Sequence, residues 1–456
     1  MYMLKIFLEK GEEKMEVKRK DVIICGFALF AIFFGAGNLI FPPYLGILAG
    51  NRWYIAMFAF LLSDPVLPIL GVIVTARLGG RADDLGKRVS PKFAKLVGTV
   101  AILTIGPFFA VPRTGATTHE IFIRPLFPAV PSWVTCLVFF LITYYITLNP
   151  TKVIDIIGRY LTPCLLIILA LIVIISMVNP PDQLAHTTTP KLFTLGFKEG
   201  YQTMDALGSP LMAGIVITDL VRRGYNNEEI QFKASVKIGL VAFVLLALVY
   251  GSLTYAGATV GGHFDANSER TALLIGMVQL MLGNAGQVVM GVAVALACLT
   301  TSTGLSSTCG NYFETISNGK LEYKKVVTAS VIISFILSFL GVDGLITVAV
   351  PILSAIYPVM IVLILMSIFD KKIKYNWTYT GAVIGAFGVS IIESINLASA
   401  MRGGTLLAGP AKAIAGLPLG NFGFEWVVPA IVCSVVLTLI SMITKKGKTI
   451  NDPIEL

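Results

Sequence analysis

The stretch AIFFGAGNLIFPPYLG, Ala31 to Gly46, lies inside the first long apolar run of a chain of 456 residues. A continuous helix is disfavoured here, because glycine and above all proline are poor helix formers. In a membrane, backbone groups freed by a break are tolerated only where protein or a water-lined cavity surrounds them. The stretch therefore predicts a helix that breaks near Gly35–Pro42 beside a cavity. We expect Pro42 and Pro43 to start its second half, where a missing N–H costs little.

The composition indicates that lipid surrounds much of the chain. Hydrophobic residues make up 55% and charged residues 13%, whereas soluble domains carry about 25% charged residues. The mean hydropathy is +0.82. The net charge of +9 does not indicate a nucleic-acid partner, because the basic residues are spread between apolar runs. The sequence lacks the alternating pattern of membrane β-barrels, so we predict an all-α integral membrane protein in contact with membrane lipid.

Twelve runs of the sequence approach or exceed the roughly 20 apolar residues that a membrane-crossing helix needs. If the N-terminus is cytoplasmic, 27 of the 35 lysines and arginines lie on the inner side and 7 on the outer side. Because basic residues accumulate in cytoplasmic loops, we predict that both termini are cytoplasmic. The predicted spans are 22–49, 54–76, 94–122, 133–149, 153–178, 199–221, 234–259, 284–312, 325–341, 344–369, 378–400 and 425–443.

The beginning of the sequence carries no pattern of a cleaved signal peptide, because its first apolar run follows lysine-rich residues and is too long. The sequence MEVKRKD at Met15 has the character of a true start. We therefore expect Met1–Lys14 to be absent from the natural protein.

A second interruption is predicted in TMDALGSPLMAG, Thr203 to Gly214, where Asp205, Gly208 and Pro210 stand within the sixth span. Each interrupted span is the first of a block of five. Because five is odd, the second block starts from the opposite side of the membrane, which is the signature of an inverted repeat with a midplane site. The alternative is that glycine and proline merely kink these spans.

The predicted organisation follows from these blocks. We expect a cytoplasmic N-terminal segment 1–20, a first five-helix repeat 21–178, an inverted second repeat 196–369, transmembrane helices 11 and 12 within 370–444, and a cytoplasmic tail 445–456.

Broken helices offer a specific chemistry. Freed amides at the start of a half-helix attract anions, and freed carbonyls at the end of the other half suit a cation. The run ALACLTTSTGLSSTCG, Ala295 to Gly310, adds hydroxyls of the kind that hard cations prefer. The alternative is that these hydroxyls bond to their own helix or join helices together. A zwitterionic amino acid bound together with Na⁺ fits the pattern.

Charged residues within the spans are candidates for function. Asp205 can bind a substrate ammonium, a cation or a proton, or can cap a half-helix. Arg113 and Glu120 are seven residues apart, too far for a direct pair along one helix, so we expect each to pair with another helix. Glu393 lies outside the two blocks and is expected to be structural. The fifth candidate is Asp64.

Three stretches together resemble one family. They are FFGAGNLIFPP, GPFFAVPRTGATTHE (Gly106 to Glu120) and GYQTMDALGSPLMAGIVI (Gly200 to Ile217). They are similar to the bacterial branched-chain amino acid:cation symporters, over roughly Lys18 to Lys446. The resemblance implies a LeuT-like 5+5 inverted repeat of the amino acid–polyamine–organocation superfamily. It also implies Na⁺-coupled import of L-leucine, L-isoleucine and L-valine across the bacterial plasma membrane, without enzymatic activity or a cofactor.

The resemblance assigns roles by matching GAGNLIFP to the related pattern GLGNFRFP. It implies that the amides of Gly35, Ala36 and Gly37 meet the substrate carboxylate, and that Asn38 braces the break or lends its oxygen to a sodium ion. The expected apolar pocket involves Met204 and Leu207, with Phe108, Phe109 and Val111 as further candidates, although aromatic residues also serve helix packing. The full predicted substrate-binding set is Gly35, Ala36, Gly37, Asn38, Phe108, Thr203, Met204, Asp205 and Leu207.

The same resemblance implies one sodium site, built from the carbonyls of Ala31 and Phe34 with Ala297, Thr300 and Thr301. A register shifted to Ser302 and Thr303 is the alternative. Two departures matter. Ile40 stands where the related pattern has an outer-gate arginine, so that gate is not expected here. The bulky Phe33 replaces a small residue of a first sodium site, so we expect one sodium ion rather than two.

Two functional hypotheses result. The first is Na⁺-coupled import of branched-chain amino acids, with broad specificity, because one methylene is worth only about 1–3 kcal/mol of discrimination. The second is proton coupling in the same fold, through Asp205 or Glu120. An enzyme is disfavoured, because the sequence shows no metal-ligand spacing, nucleophile elbow or serine–histidine pairing.

Overall fold

The computed structural model describes residues 17–80, 84–148, 153–264 and 268–444, without the side chains of 36 and 153–165. Within these ranges the chain is helical and contains no β-strand, so the predicted all-α class is confirmed. The predicted start at Met15, most of the N-terminal segment and the tail 445–456 lie outside the described residues.

We number the helices of the described ranges in chain order. The first part of the chain holds α1 Arg19–Phe33, α2 Ala36–Ala49, α3 Trp53–Leu61, α4 Leu67–Leu78, α5 Pro91–Leu103, α6 Ala110–Thr118, α7 Ser132–Leu148 and α8 Val153–Val178. The remainder holds α9 Leu192–Tyr201, α10 Asp205–Arg222, α11 Glu228–Ala258, α12 Arg270–Ile316, α13 Tyr323–Leu337, α14 Gly341–Ile368, α15 Asn376–Ala400, α16 Ala408–Ala415 and α17 Val427–Thr444. Short π-helical segments, Leu62–Val66, Thr104–Phe108 and His119–Ile123, continue α3, α5 and α6.

Seven helical stretches of the described residues are long and apolar enough to cross a membrane, and the bent pair α9 and α10 makes an eighth. The protein is therefore a multi-pass membrane protein. Two of the seven stretches, Gly37–Leu78 and Tyr323–Ile368, are 42 and 46 residues long. Each is about twice the length of one crossing. Some predicted spans are absent from the seven because their helices are short, as for α1 with 15 residues and α7 with 17.

The first interruption separates α1 from α2 at Phe34 and Gly35. Gly35 is extended (φ −98°, ψ 178°), and α2 begins directly after it at Ala36. Pro42 and Pro43 thus lie inside α2, and the expectation that they start this half-helix is wrong. The carbonyl of Gly35 already accepts a hydrogen bond from the Asn38 amide (3.1 Å), so the helical turn forms before the prolines.

The second interruption separates α9 from α10. Helix α9 ends at Tyr201. Met204 takes a left-handed conformation (φ 66°) directly before α10, and this changes the direction of the chain. The two helices enclose an angle of 46°. Met204 lies at the start of the second predicted stretch, but Gly208 and Pro210, which were expected to interrupt the sixth span, lie inside α10.

The helix α2 packs closely against α11, and Gly257 makes this approach possible. A Cβ atom at Gly257 would lie 2.8 Å from both the Cα and the carbonyl carbon of Pro43, and still closer to the Pro43 oxygen. Backbone atoms of a packed helix cannot move aside as a flexible side chain can. This contact fixes α2, and with it the first interruption, against the long helix α11.

We predict that Gly257→Ala lowers the free energy of unfolding by about 1–3 kcal/mol, the usual cost of forcing extra volume into a packed interface. The measurement is thermal unfolding of the purified protein in detergent. Gly388→Ala in α15 is the matched control, because no heavy atom of a neighbour lies within 4 Å of the added Cβ. An unchanged unfolding temperature for Gly257→Ala would contradict the close approach of α2 and α11.

Candidate functional site

A cavity of about 290 Å³ lies where the two interruptions meet. This volume is near the lower end of the roughly 300–1,000 Å³ typical of small-molecule sites. Its wall comes from both interruptions, from α6, and from the middle of α12. The predicted site residues on its wall are Ala31, Gly35, Gly37, Asn38, Thr203, Met204, Asp205, Thr300 and Thr301.

Other predicted residues lie elsewhere. Phe108 is 39% exposed and does not line the cavity, because Gly106 is non-helical (ψ −116°) and redirects the chain within the segment Thr104–Phe108. Leu207 is fully buried on a different face of α10. Phe34 and Ala297 are not on the wall either, and the ring of Phe34 stacks on that of Phe30. The side chain of Ala36 lies outside the described residues.

Several wall residues were missed from the sequence, although helical periodicity marks most of them. Counting on from Asp205 at intervals of three and four gives Gly208, Met212 and Ile215, and all three line the cavity. The same spacing from Thr301 gives Gly304, Leu305 and Thr308, which also line it. On the third predicted span, Ile105, Ala110, Arg113 and Thr114 line it as well.

The side-chain amide of Asn38 connects the two interruptions. Its nitrogen lies 2.7 Å from a carboxylate oxygen of Asp205 and 3.2 Å from one of Asp64. It also lies 2.6 Å from the hydroxyl oxygen of Tyr250 on α11. Asp64 is completely buried, and its second carboxylate oxygen has no hydrogen-bond partner among the described residues. Two acids, the buried Asp64 and the partly buried Asp205, therefore converge on one neutral amide that belongs to α2.

The hydroxyl run of α12 divides into residues on the cavity wall and residues away from it. Thr300 and Thr301 line the cavity, and the Thr300 hydroxyl donates to the Ala297 carbonyl (2.9 Å). A Cβ at Gly35 would lie 3.6 Å from the Thr301 hydroxyl oxygen, so this hydroxyl faces the first interruption. Ser302 is fully buried and Thr303 donates to the Leu299 carbonyl (2.6 Å), and neither lines the cavity.

The backbone at the first interruption leaves polar groups without helical partners. The Gly35 amide donates to the Phe33 carbonyl (2.8 Å) rather than to the Ala31 carbonyl four residues back, as a continuous helix requires. The first amides of α2 likewise have no partner within their own helix. Carbonyl oxygens and amides thus become available to ligands at one point of the cavity.

The remaining charged candidates have separate partners. Arg113 donates to the Gln202 carbonyl (2.6 Å), which joins α6 to the second interruption. Glu120 accepts hydrogen bonds from the Thr271 hydroxyl (2.7 Å) and the Val342 amide (2.9 Å). Glu393 pairs with Lys198 of α9 at 3.0 Å. Glu120 therefore contacts other helices, as predicted, whereas the partner of Arg113 lies between α9 and α10 and not in a helix.

An ionic cluster connects the end of α9 to the starts of α12 and α14. Arg270 forms ion pairs of 3.0 Å with both Glu199 and Asp343. Its guanidinium also lies 4.2 Å from the centroid of the Tyr44 ring on α2. Glu199 stands six residues before Asp205 and Tyr44 six residues after Asn38, so the cluster lies to one side of both interruptions.

Comparisons with known proteins agree on one family. The family model described as branched-chain amino acid transport protein matches residues 18–444. The chain is 38% identical to the branched-chain amino acid permease BraB of Bacillus subtilis (strain 168), covering 95% of this chain and 98% of that protein. It is 32% identical to the branched-chain amino acid permease BrnQ of the same organism, covering 93% and 98%.

Solved structures with a similar fold are more distant in sequence. Mhp1, a nucleobase-cation-symport-1 family transporter in a closed conformation with bromovinylhydantoin bound, has a TM-score of 0.59 at 13% identity, covering 92% of this chain and 93% of that chain. MhsT in complex with L-phenylalanine has a TM-score of 0.55 at 14% identity, covering 94% and 99%. These likenesses show the fold alone.

We predict that Asn38→Asp disrupts the junction of the two interruptions. A third carboxylate would face Asp64 and Asp205, and both N–H donors would be lost, which costs more than the roughly 1–3 kcal/mol of one unsatisfied buried group. Thermal unfolding and ligand binding at neutral pH measure the effect. Asn311→Asp, an exposed position on α12, makes the same chemical change as a control. Equal unfolding temperatures for the two variants would refute the assigned role of Asn38.

Proposed function

The chain belongs to the branched-chain amino acid transport protein family, a family of transporters and not of enzymes, and we propose that it imports L-leucine, L-isoleucine and L-valine together with Na⁺. The observation that carries the proposal is the cavity between the two interrupted helices, which combines charged groups with an apolar wall. The names of BraB and BrnQ, which match the chain over nearly all of its length, support the choice of substrate.

The cavity suits an amino acid with an aliphatic side chain. The free amides at the start of α2 carry partial positive charge and attract the carboxylate, while Asp205 offers an acceptor to the ammonium. Ile105, Met212 and Leu305 give the wall an apolar part. Burying a leucine or isoleucine side chain there contributes about 1.5–3 kcal/mol. One methylene changes this burial free energy too little to separate the three substrates sharply, so we expect broad specificity for all three.

Sodium is proposed to bind where the end of α1 approaches α12. The carbonyls of Ala31 and Phe34, the carbonyl of Ala297, and the hydroxyls of Thr300 and Thr301 would supply the oxygen ligands that hard cations prefer. The Ala31 carbonyl lacks its usual helical donor at Gly35, which supports a cation at the end of α1. Thr300 and Thr301 line the cavity, while Ser302 and Thr303 do not, which favours this set over the shifted register.

The proposed mechanism is alternating access across a bacterial plasma membrane. We propose twelve crossings, with both termini cytoplasmic and inverted repeats at 21–178 and 196–369, so that one block rocks against the other around a fixed site. In this orientation Ile215 (45% exposed) and Thr308 on the cavity wall lie towards the cytoplasm. We propose that the described conformation is open to the inside. The Arg270 cluster would then close the outside, where Ile40 replaces the outer-gate arginine of the related pattern.

We predict that Thr301→Ala raises the Na⁺ concentration for half-maximal leucine uptake by roughly tenfold, because one of few oxygen ligands is lost. The assay is uptake of labelled leucine into proteoliposomes at graded Na⁺ concentrations. Thr315→Ala on the same helix is the matched control, since its hydroxyl is exposed and bonds only to the Asn311 carbonyl. Unchanged Na⁺ dependence in Thr301→Ala would remove this residue from the sodium site.

A second candidate is coupling to protons, and the convergence of the carboxylates of Asp64 and Asp205 on Asn38 favours it. If protons drive uptake, a pH gradient without Na⁺ accumulates leucine in the same proteoliposomes, and Asp205→Asn abolishes this. Asp182→Asn, outside the cavity, serves as the control. If a pH gradient without Na⁺ drives no uptake, while a Na⁺ gradient does, proton coupling is ruled out.

A further inference from the structure

Arg113 is a buried cation on the cavity wall. It is 5% exposed, and its one hydrogen bond among the described residues runs from Nη1 to the Gln202 carbonyl (2.6 Å). The guanidinium also lies 5.5 Å from the centroid of the Phe41 ring. Within the part of the chain that the structure describes, Arg113 forms no ion pair with a carboxylate. The Gln202 carbonyl and the Phe41 ring hold the guanidinium in place, but neither carries a negative charge that would balance its positive charge.

An unpaired buried charge is costly, so arginine is rarely buried without an anionic partner. The guanidinium has five N–H donors in a fixed fork, and only one of them is used. Because the group borders the cavity, a ligand in the cavity can reach the others. We therefore expect the ligand to carry an anionic group that accepts hydrogen bonds from the free N–H donors of Arg113.

The guanidinium of Arg113 lies against Gly37, and this contact indicates which kind of anion the cavity binds. A Cβ at Gly37 would lie 2.9 Å from Cζ of Arg113, and nearer still to Nη2, so the guanidinium rests directly on the first turn of α2. The free amides of that turn and the guanidinium thus face the same corner of the cavity. A planar carboxylate can accept from both, and arginine–carboxylate pairs are characteristically bidentate.

We infer that Arg113 binds the α-carboxylate of the substrate. This inference rests on the proposed function and deepens it, because the family resemblance assigned the carboxylate to backbone amides alone. Asp205 lines the same cavity and accepts from Asn38, so the two ends of a zwitterion meet side chains of opposite charge. The site consequently selects α-amino acids over amines and amides that have the same aliphatic side chain.

The test compares three ligands on the purified full-length protein in Na⁺ buffer. Leucine carries both charges, leucinamide lacks the carboxylate, and 4-methylpentanoate lacks the ammonium. Binding is measured by the ligand-dependent rise of the thermal unfolding temperature. In the unaltered protein we expect leucine to bind roughly 10- to 100-fold more tightly than leucinamide, the usual effect of charge-assisted hydrogen bonds.

In Arg113→Gln we expect leucine binding to weaken by roughly 10- to 100-fold, so that leucine and leucinamide become nearly equal. The preference for leucine over 4-methylpentanoate should persist, because Asp205 is unchanged. Arg113→Lys keeps the positive charge but loses the planar, forked arrangement of N–H donors. It should give an intermediate ratio of leucine to leucinamide affinity. Arg77→Gln is the matched control, since Arg77 likewise donates to a backbone carbonyl, of Ile368, and lies over a ring, that of Phe232, away from the cavity.

The outcomes separate the two proposals. If the unaltered protein binds none of leucine, isoleucine and valine, the proposed function fails. If it binds leucine, and Arg113→Gln keeps the original ratio of leucine to leucinamide affinity, the role of Arg113 is overturned. Should Arg113→Gln not fold, Gly37→Ala decides, because its Cβ must displace the guanidinium. A collapsed ratio in Gly37→Ala supports the inference, and an unchanged ratio overturns it.

Discussion

The hydrogen-bonded junction at Asn38 is the contact on which the site depends. Two helices are interrupted, and each interruption removes backbone hydrogen bonds that a membrane protein must replace. Asn38 stands in the first turn of α2 and bonds to Asp205 in the first turn of α10 (2.7 Å). A single side chain therefore holds the starts of two half-helices together. Both ends of this hydrogen bond, Asn38 and Asp205, lie on the cavity wall.

The surrounding packing serves the same junction. Tyr250 of α11 contacts the Asn38 amide, and α11 is itself held against α2 by the close approach at Gly257. Asp64 reaches the amide from the π-helical segment between α3 and α4.

The propensities of individual residues predicted some features of the fold and the site, but not others. Glycine at 35 and 37 located the first interruption, because the physical cost of glycine in a helix is local. Pro42 and Pro43 misled, since the half-helix begins earlier at Ala36. Phe108 was misplaced because it lies at the end of the π-helical segment Thr104–Phe108, where the non-helical Gly106 redirects the chain, and sequence periodicity does not reveal this. Arg113 was noticed only as a charge, since its partner is a backbone carbonyl 89 residues away.

The two acids on Asn38 have a consequence for electroneutrality. Around the cavity, the described residues place two carboxylates, Asp64 and Asp205, against one guanidinium, that of Arg113. A zwitterionic amino acid brings no net charge, so the ionised site retains one negative charge after the substrate enters. Under the proposed function, one monovalent cation, Na⁺ or a proton, would restore neutrality in a region of low dielectric, where uncompensated charge is expensive. The proposed coupling ion thus answers the balance of charges around the cavity.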